Sequence, residues 1–276
     1  MKRVLTALVL IPFVLVLVFL GPAWHWIFAG AVGVVAALAG WEFLGLAQLC
    51  GAKPPRIAVA VALLTLFAGN HFWPDSTPAI FGVLNLSLLI LCTFRPPVGQ
   101  MMADATSSLF CMVYIGSTML ALPALHEEPG GPSLVAFLLC VVWGGDIFAL
   151  YIGRIWGRRK LSPTLSPSKT WEGAIGSMIG SLLAAGCLLA LAAFLQAHDM
   201  ALLSYPDEIW YWLVLAAIVN LAAQVGDLAE SALKRSAGVK DSGSLLPGHG
   251  GVLDRIDALL VAAPVLWYAQ VIHQRF

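Results

Sequence analysis

Charged residues and glycines are concentrated in one short stretch of this chain, residues 231–257. The stretch contains four Lys or Arg residues, three Asp residues and one His, although only 11% of the whole chain is Asp, Glu, Lys or Arg. Long apolar segments lie on both sides of it. Cations and glycines bind polyanions, and carboxylates bind hard metal ions. The stretch therefore predicts a site for a polyanion and its metal ions, next to a membrane-spanning segment.

Carboxylates at the ends of the flanking apolar segments are candidate metal ligands. An ionised Asp at the centre of a membrane helix costs about 2.5–3.5 kcal/mol, so such residues need a compensating role. Asp227 and Glu230 are three residues apart and share a helix face, and so do Asp254 and Asp257. Because the short loop 233–251 joins the two segments, we expect their carboxylates to converge on one hard cation.

Ordinary helix chemistry is the alternative explanation for these carboxylates. Asp254 and Asp257 would interact favourably with a helix N-terminus, and Glu230 would pair with Lys234 one turn later. Neither effect explains Asp227, which lies deeper in an apolar segment. We therefore interpret Asp227 and Asp254 as metal ligands and Glu230 as a structural residue.

Three glycines surround a histidine in the sequence Gly248-His249-Gly250-Gly251. Glycine lets backbone N–H groups approach an anion closely, and such a loop before a helix is a natural phosphate-binding element. His249 would donate to a phosphate or shape the loop. A basic patch for anionic lipids is the alternative, but it requires neither the glycines nor the Asp pair. The nearby cations that would bind a polyphosphate are Lys234, Arg235 and Lys240.

A second polar segment, residues 161–173, contains two Ser-Pro steps that favour an extended connection. Ser168 or Thr170 is expected to cap the helix that follows, with Glu172 in its first turn. The cap does not require Lys169. We interpret Lys169 as a contact to a phosphate group.

Composition predicts an all-α, polytopic membrane protein. The 276 residues are 60% hydrophobic with a mean hydropathy of +0.88, whereas soluble domains average about 45–50% apolar residues. A helix needs about 17–25 apolar residues to cross a bilayer, and nine segments qualify. The first is interpreted as a retained helix and not as a cleaved signal peptide. The nine predicted spans are 4–20, 24–46, 57–73, 78–94, 105–125, 133–153, 172–197, 209–232 and 252–272.

The distribution of Lys and Arg predicts the orientation of these spans. With the N-terminus inside, every Lys and Arg except Arg275 falls in an inside segment, as expected for cytoplasmic loops. The chain is therefore predicted to be N-in and C-out, with both polar segments facing the cytoplasm. We group the spans into N-terminal helices 1–3 (residues 1–77), middle helices 4–6 that offer a dimer contact (78–153), and C-terminal catalytic helices with the cytoplasmic loops (154–276).

The charged stretch resembles the signature of CDP-diacylglycerol synthases, also called phosphatidate cytidylyltransferases. The pattern S-x-x-K-R-x4-K-D-x-G-x3-P-x-H-G-G-x2-D-R-x-D runs from Ser231 to Asp257 with every fixed position filled. The segments 166–173 and 225–228 also resemble parts of that family. The resemblance is specific over residues 144–257, and before them it is limited to a similar hydrophobic profile.

This resemblance implies an enzyme of the inner membrane with its active site facing the cytoplasm. It implies that the phosphate of phosphatidic acid attacks the α-phosphorus of CTP in line, which yields CDP-diacylglycerol and pyrophosphate. Mg²⁺ is implied as cofactor, with a second monovalent cation such as K⁺. The expected partners are CTP, phosphatidic acid, membrane lipids and a second copy of the chain, with no nucleic acid.

Site residues follow from the same resemblance. Asp227, Asp254 and Asp146 match the metal-binding positions, although this chain has Ile147 where many members have Ser or Thr. The glycines Gly248, Gly250 and Gly251 would bind the nucleotide. The catalytic set would be Lys169, Lys234, Arg235, Lys240, Asp241, His249, Arg255 and Asp257.

Three other classes of protein are alternatives to this interpretation. Transporters also place carboxylates and glycine-broken helices in membranes, but they usually keep such charges near the midplane and show repeated halves. CDP-alcohol phosphotransferases carry a D-G-x2-A-R-x8-G-x3-D-x3-D pattern, which this sequence lacks. A CTP-dependent lipid kinase would release CDP in place of pyrophosphate, so the leaving group distinguishes it.

Overall fold

The computed structural model describes residues 11–21, 24–200, 202–245 and 250–275. Nearly all of the regular structure in this part of the chain is helical. A π-helical segment, Met112–Ser117, continues the fifth helix. The helices are α1 (11–18), α2 (His25–Leu49), α3 (Arg56–Phe72), α4 (Thr77–Thr93), α5 (Met101–Cys111), α6 (Ala121–Glu127), α7 (Gly131–Trp156), α8 (Trp171–Gln196), α9 (Ile209–Ser236), α10 (Leu253–Ile256) and α11 (Leu259–His273).

Seven helical runs of the described chain are long and apolar enough to cross a membrane. The helix α3 is apolar but has only 17 residues. The predicted first span, residues 4–20, lies mostly outside the described residues. The structure thus confirms a helical protein with several helices long and apolar enough to span a membrane, whereas the total of nine spans and the N-in orientation stay predictions.

The described residues form two compact units, and each combines stretches that are distant in sequence. The first unit contains the described parts of Met1–Pro123 and Ala232–Ile256. The second contains the described parts of Ala124–Ser231 and Asp257–Phe276. Residues of the charged stretch therefore belong to both units. The grouping into residues 1–77, 78–153 and 154–276 stays a prediction.

In the first unit, α2 packs along α3 and also contacts α5 and α10. Small residues on α2 permit this close packing: a Cβ built at Gly40 would lie 2.6 Å from Leu63 Cδ1. Most of the buried face of α2 is apolar, as expected for a helix core. Glu42 is the exception, because it is buried on the same helix with 4% of its surface exposed.

In the second unit, α7 and α8 make the most extensive helix contact. A Cβ built at Gly180 of α8 would lie 2.5 Å from Gly144 O of α7, so only glycine permits this backbone approach. Glycines at such spacing permit close packing of membrane helices. Helix α9 is linked to α8 by Asn220, whose Nδ2 donates to Ser177 Oγ and Ser181 Oγ at 2.8 Å each.

Local structure departs from the sequence prediction in two places. The segment predicted as one span over 252–272 is divided into α10 and α11, with residues 257–258 between them in a turn. The connection between α7 and α8 is a β-hairpin of β1 (Lys160–Ser162) and β2 (Ser166–Thr170), in which Lys160 pairs with Thr170. The two Ser-Pro steps correctly indicated extended backbone, but they did not predict that the two arms pair.

Candidate active site

The hairpin and the start of α8 position Lys169 in the second unit. Thr170 is the N-cap of α8, and its hydroxyl accepts a hydrogen bond from Gly173 N at 3.1 Å, as predicted. Glu172 accepts hydrogen bonds from the backbone N–H groups of Arg158 and Arg159 at 3.1–3.3 Å. The hairpin is therefore held at both ends, which fixes the backbone that carries Lys169.

Lys169 forms an ion pair with Asp227 of α9. Lys169 Nζ lies 2.5 Å from Asp227 Oδ2, and the two side chains are 24% and 37% exposed. Gly226 is the preceding residue, and a Cβ built there would lie 2.6 Å from Asp257 O. Glycine thus allows α9 to approach the turn at residues 257–258 closely. The structure brings together a predicted metal ligand and a predicted phosphate contact, and leaves both partly accessible.

A second ion pair, Lys234–Asp254, lies in the first unit. Lys234 Nζ donates to Asp254 Oδ1 at 2.7 Å, and the side chains are only 13% and 6% exposed. Asp254 Oδ2 accepts hydrogen bonds from Ser242 N at 3.0 Å and Gly251 N at 2.8 Å. This carboxylate therefore holds the loop between α9 and α10 in addition to pairing with Lys234.

Both described glycines of the predicted phosphate-binding loop lie against Asp254. Gly250 has a φ of 79°, in the left-handed region that favours glycine, and a Cβ there would lie 2.7 Å from Asp254 Oδ2. The N–H of Gly251 donates to the same oxygen. In this arrangement, the backbone of Gly251 binds a carboxylate of the chain itself. Gly248 and His249 lie outside the described residues.

The remaining predicted residues of the first unit are on the surface. Arg235 Nη1 donates to Val239 O at 2.9 Å, which folds its guanidinium back over the end of α9. Lys240, Asp241 and Arg255 are exposed. These charged side chains are close in sequence to Ser242 and Asp254 and are accessible to solvent.

Two other predicted residues, Asp146 and Asp257, also belong to the second unit. Asp146 lies on α7 and is exposed. Asp257 lies in the turn after α10, and its Oδ1 accepts a hydrogen bond from Ala258 N at 2.8 Å. Asp254 lies in α10, whereas Asp257 follows the last residue of that helix, Ile256.

The two ion pairs differ in how well their carboxylates fit Mg²⁺, which prefers oxygen ligands and retains several waters. Asp227 fits this requirement, because its side chain is partly accessible and is paired with a cation. Asp254 already accepts three hydrogen bonds while nearly buried. A metal ion at Asp254 would have to use its remaining lone pairs or displace Lys234.

Sequence reasoning did not identify Glu42 as a site residue. Its Oε2 accepts hydrogen bonds from Ser242 Oγ at 3.2 Å and from Leu253 N at 2.9 Å, both in the loop that Asp254 holds. The signal in the sequence was a single Glu inside the predicted second span, where an acidic residue is costly. Nothing in its local pattern pointed to a partner 200 residues later.

Comparison with known proteins identifies related sequences along the whole chain. A sequence model of the cytidylyltransferase family matches residues 1–273. A phosphatidate cytidylyltransferase of Pseudomonas aeruginosa is 35% identical over 278 residues, which cover 97% of each chain. One from Haemophilus influenzae is 32% identical over 295 residues, again with 97% of each chain covered.

Some related sequences match over a shorter region but with higher identity. A phosphatidate cytidylyltransferase of Brucella abortus is 45% identical over 157 residues, which are 56% of this chain and 54% of the relative. The chain thus matches about half the length of the Brucella relatives. Similarity to the Pseudomonas and Haemophilus proteins extends over nearly the full length.

Proposed function

This chain belongs to the cytidylyltransferase family, and on that premise we propose that it is a phosphatidate cytidylyltransferase. It transfers CMP from CTP to the phosphate of phosphatidic acid and produces CDP-diacylglycerol and pyrophosphate. The observation that carries the proposal is the similarity to the Pseudomonas enzyme over 97% of both chains. The membrane-spanning helices support it, because one of the two substrates remains in the lipid leaflet.

The reaction needs no covalent intermediate with the protein. An oxygen of the lipid phosphate forms a bond to the α-phosphorus of CTP, and the bond from that phosphorus to the bridging oxygen of the β-phosphate breaks. Pyrophosphate leaves with the electron pair. The protein must bring two polyanions together and stabilise the charge that develops, which positioned cations do effectively.

The Lys residues of both ion pairs are suited to this task. An ammonium group has three N–H donors, so Lys169 and Lys234 can bind a phosphate oxygen while each still contacts its Asp. The paired Asp fixes the position of the ammonium group, which reduces the entropy lost when a phosphate binds. Arg235, Lys240 and Arg255 are exposed and would neutralise the outer phosphates of CTP.

The cofactor proposal concerns Mg²⁺, together with a second monovalent cation such as K⁺. Asp227, Asp254 and Asp146 are each proposed as a ligand of Mg²⁺, which would neutralise charge on the nucleotide phosphates. Asp227 is the strongest of these candidates, because its partly exposed carboxylate has room for further ligands.

The proposed location is the inner membrane, with the site on the cytoplasmic side. The support is the distribution of Lys and Arg, all but one of which fall in segments assigned to the inside. CTP is present on that side. The homodimer implied by the family resemblance stays a prediction, which light scattering of the purified protein in detergent would test.

A lipid-product assay tests the proposed activity. Purified protein is incorporated into vesicles that contain phosphatidic acid and is supplied with CTP and Mg²⁺. We expect equal amounts of CDP-diacylglycerol, measured by mass spectrometry, and pyrophosphate, measured enzymatically. A chelator of divalent ions should abolish both products. Release of CDP with a pyrophosphorylated lipid would instead identify a lipid kinase, and absence of both products would refute the proposal.

A further inference from the structure

Glu42 is a buried acidic residue that contacts the loop of the candidate active site from a distant part of the sequence. It lies on α2 with 4% of its surface exposed. Its Oε2 accepts the hydrogen bond of Leu253 N at 2.9 Å, and this N–H is the first of α10. Such N–H groups have no partner within their helix, and a carboxylate is a favourable acceptor for them. Glu42 of α2 therefore caps the N-terminus of α10, which belongs to the same unit.

The loop is shaped to accept the Glu42 carboxylate. A Cβ built at Gly243 would lie 2.7 Å from Glu42 Cδ, and a Cβ at Gly251 would lie 2.7 Å from the same atom. Any larger residue at either position would have to displace the carboxylate or the loop. The two glycines thus pack directly against the carboxylate of Glu42.

Glu42 and Asp254 hold the same loop residue through different atoms. The backbone N–H of Ser242 donates to Asp254 Oδ2 at 3.0 Å, while its hydroxyl donates to Glu42 Oε2 at 3.2 Å. Gly251 N donates to Asp254, and Leu253 N donates to Glu42. Four hydrogen bonds from three loop residues are therefore divided between the two carboxylates.

We propose that Glu42 is a positioning residue of the active site. It holds Ser242 and Leu253 against α2 and thereby keeps Gly243, Gly251 and the neighbouring cations in the geometry that binds the nucleotide phosphates. Glu42 lies outside the signature and contacts the loop, not the substrate. The effect on catalysis rests on the proposed function, whereas the anchoring of the loop does not.

Hydrogen–deuterium exchange tests the anchoring independently of activity. In Glu42→Ala, we expect faster exchange of the backbone amides in peptides covering residues 240–253, because Leu253 N and Ser242 Oγ lose their acceptor. Asp104→Asn is the matched control: Asp104 is also buried in the first unit, with 6% exposure, and its Oδ1 accepts a backbone hydrogen bond from Lys53 N at 2.5 Å. The control should leave exchange in these peptides unchanged.

Glu42→Gln provides a second variant in case Glu42→Ala does not fold. The amide oxygen can accept both hydrogen bonds in place of Oε2. Oε1 accepts no hydrogen bond from the described residues, so an NH₂ group in its place displaces none of them. We therefore expect near-normal exchange in Glu42→Gln. Normal exchange at residues 240–253 in folded Glu42→Ala, or exchange in Glu42→Gln as fast as in a denatured control, would overturn the proposal.

Kinetics connect the anchoring to catalysis. Glu42→Ala should raise the KM for CTP by about tenfold, which corresponds to the loss of one hydrogen bond to a charged group, with a smaller change in kcat. Glu42→Gln should restore the KM. Loss of stability alone would lower the amount of active protein and leave the KM unchanged, and that result would contradict a positioning role. If wild-type protein lacks transferase activity, the proposed function fails, and the exchange experiment still decides the anchoring.

Discussion

The Lys169–Asp227 pair of the second unit and the Lys234–Asp254 pair of the first consist of the same two residue types, but their surroundings differ. Asp227 is 37% exposed, whereas Asp254 is 6% exposed and also accepts two backbone hydrogen bonds. Lys234 and Asp254 belong to the signature of residues 231–257, whereas Lys169 and Asp227 lie in the two upstream segments that also resemble the family, 166–173 and 225–228. Because the two ion pairs differ in burial, we infer that they have different roles.

An exposed ion pair contributes little to stability, with a typical value of about 0–1 kcal/mol, so its residues are free to serve a ligand. A buried pair behaves differently, because removal of one partner leaves an uncompensated charge in a poorly solvated place. We therefore expect Lys169 and Asp227 to act mainly on substrate and metal. Lys234 and Asp254 should in addition maintain the structure of the loop.

The largest expected effect is that of Asp227→Asn on activity. The substitution removes the negative charge that we assign to metal binding, and we expect CMP transfer to fall about 100-fold or more. The thermal unfolding midpoint should stay near the wild-type value, because the side chain is partly exposed. Initial rates of CDP-diacylglycerol formation and a thermal unfolding curve in detergent provide the two measurements.

The control for that substitution is Asp207→Asn in the same unit. Asp207 is 31% exposed and pairs with His273 at 3.1 Å, so it resembles Asp227 in burial and in having a basic partner. This variant should retain wild-type activity. Equal rates in both variants would show that Asp227 has no special role.

Asp254→Asn should reduce both activity and stability, which distinguishes it from Asp227→Asn. The amide would place its NH₂ group either against Lys234 Nζ, which is one donor, or against the backbone N–H groups of Ser242 and Gly251, which are two. We expect the free energy of unfolding to fall by about 3 kcal/mol, as for other broken buried pairs. A lower unfolding midpoint measures this effect, and an unchanged midpoint would mean that the two pairs do not differ as their burial indicates.

Substitution of the two Lys residues by Met sharpens the same comparison. Lys169→Met should raise the KM for CTP about tenfold, equivalent to one lost charge-assisted hydrogen bond, and should change stability little because the pair is accessible. Lys234→Met should lower the unfolding midpoint, since it removes the cation that pairs with the nearly buried Asp254. An unfolding midpoint that is lower in Lys169→Met than in Lys234→Met would contradict our interpretation.

The smallest expected effect is that of Thr170→Ala. Loss of the cap on α8 should cost about 1 kcal/mol of stability and should reduce activity slightly, because Lys169 is the neighbouring residue. Thr164→Ala in the exposed turn of the hairpin is the control. Similar unfolding midpoints for the two variants would show that the hydrogen bond from Gly173 N to the Thr170 hydroxyl does not contribute to stability.

Sequence patterns predicted the parts of this molecule that depend on local chemistry. Apolar length identified most of the long helices, and Thr170 was one of the two residues expected to cap α8. The signature of residues 231–257 identified the family, which the match over residues 1–273 then confirmed. These features are visible because each depends on residues that are close together in the chain.

Other features depend on tertiary contacts and were not visible in the sequence. The pairing of Lys169 with Asp227 joins residues 58 positions apart, and no local pattern distinguishes it from other Lys–Asp pairs. The break between α10 and α11 at residues 257–258 accompanies the close approach of Gly226, which an isolated helix pattern does not reveal. Glu42 was missed for the same reason, because its contacts lie in another stretch of the chain.

The most direct test of the account follows the phosphates of CTP through the reaction. Wild-type protein in phosphatidic acid vesicles is supplied with Mg²⁺ and CTP that is labelled at either the α- or the γ-phosphorus. We predict that the α-label enters the lipid and that the γ-label is released as pyrophosphate, with both transfers abolished in Asp227→Asn. Entry of the γ-label into the lipid, or equal transfer of the α-label by Asp227→Asn and wild type, would contradict the account.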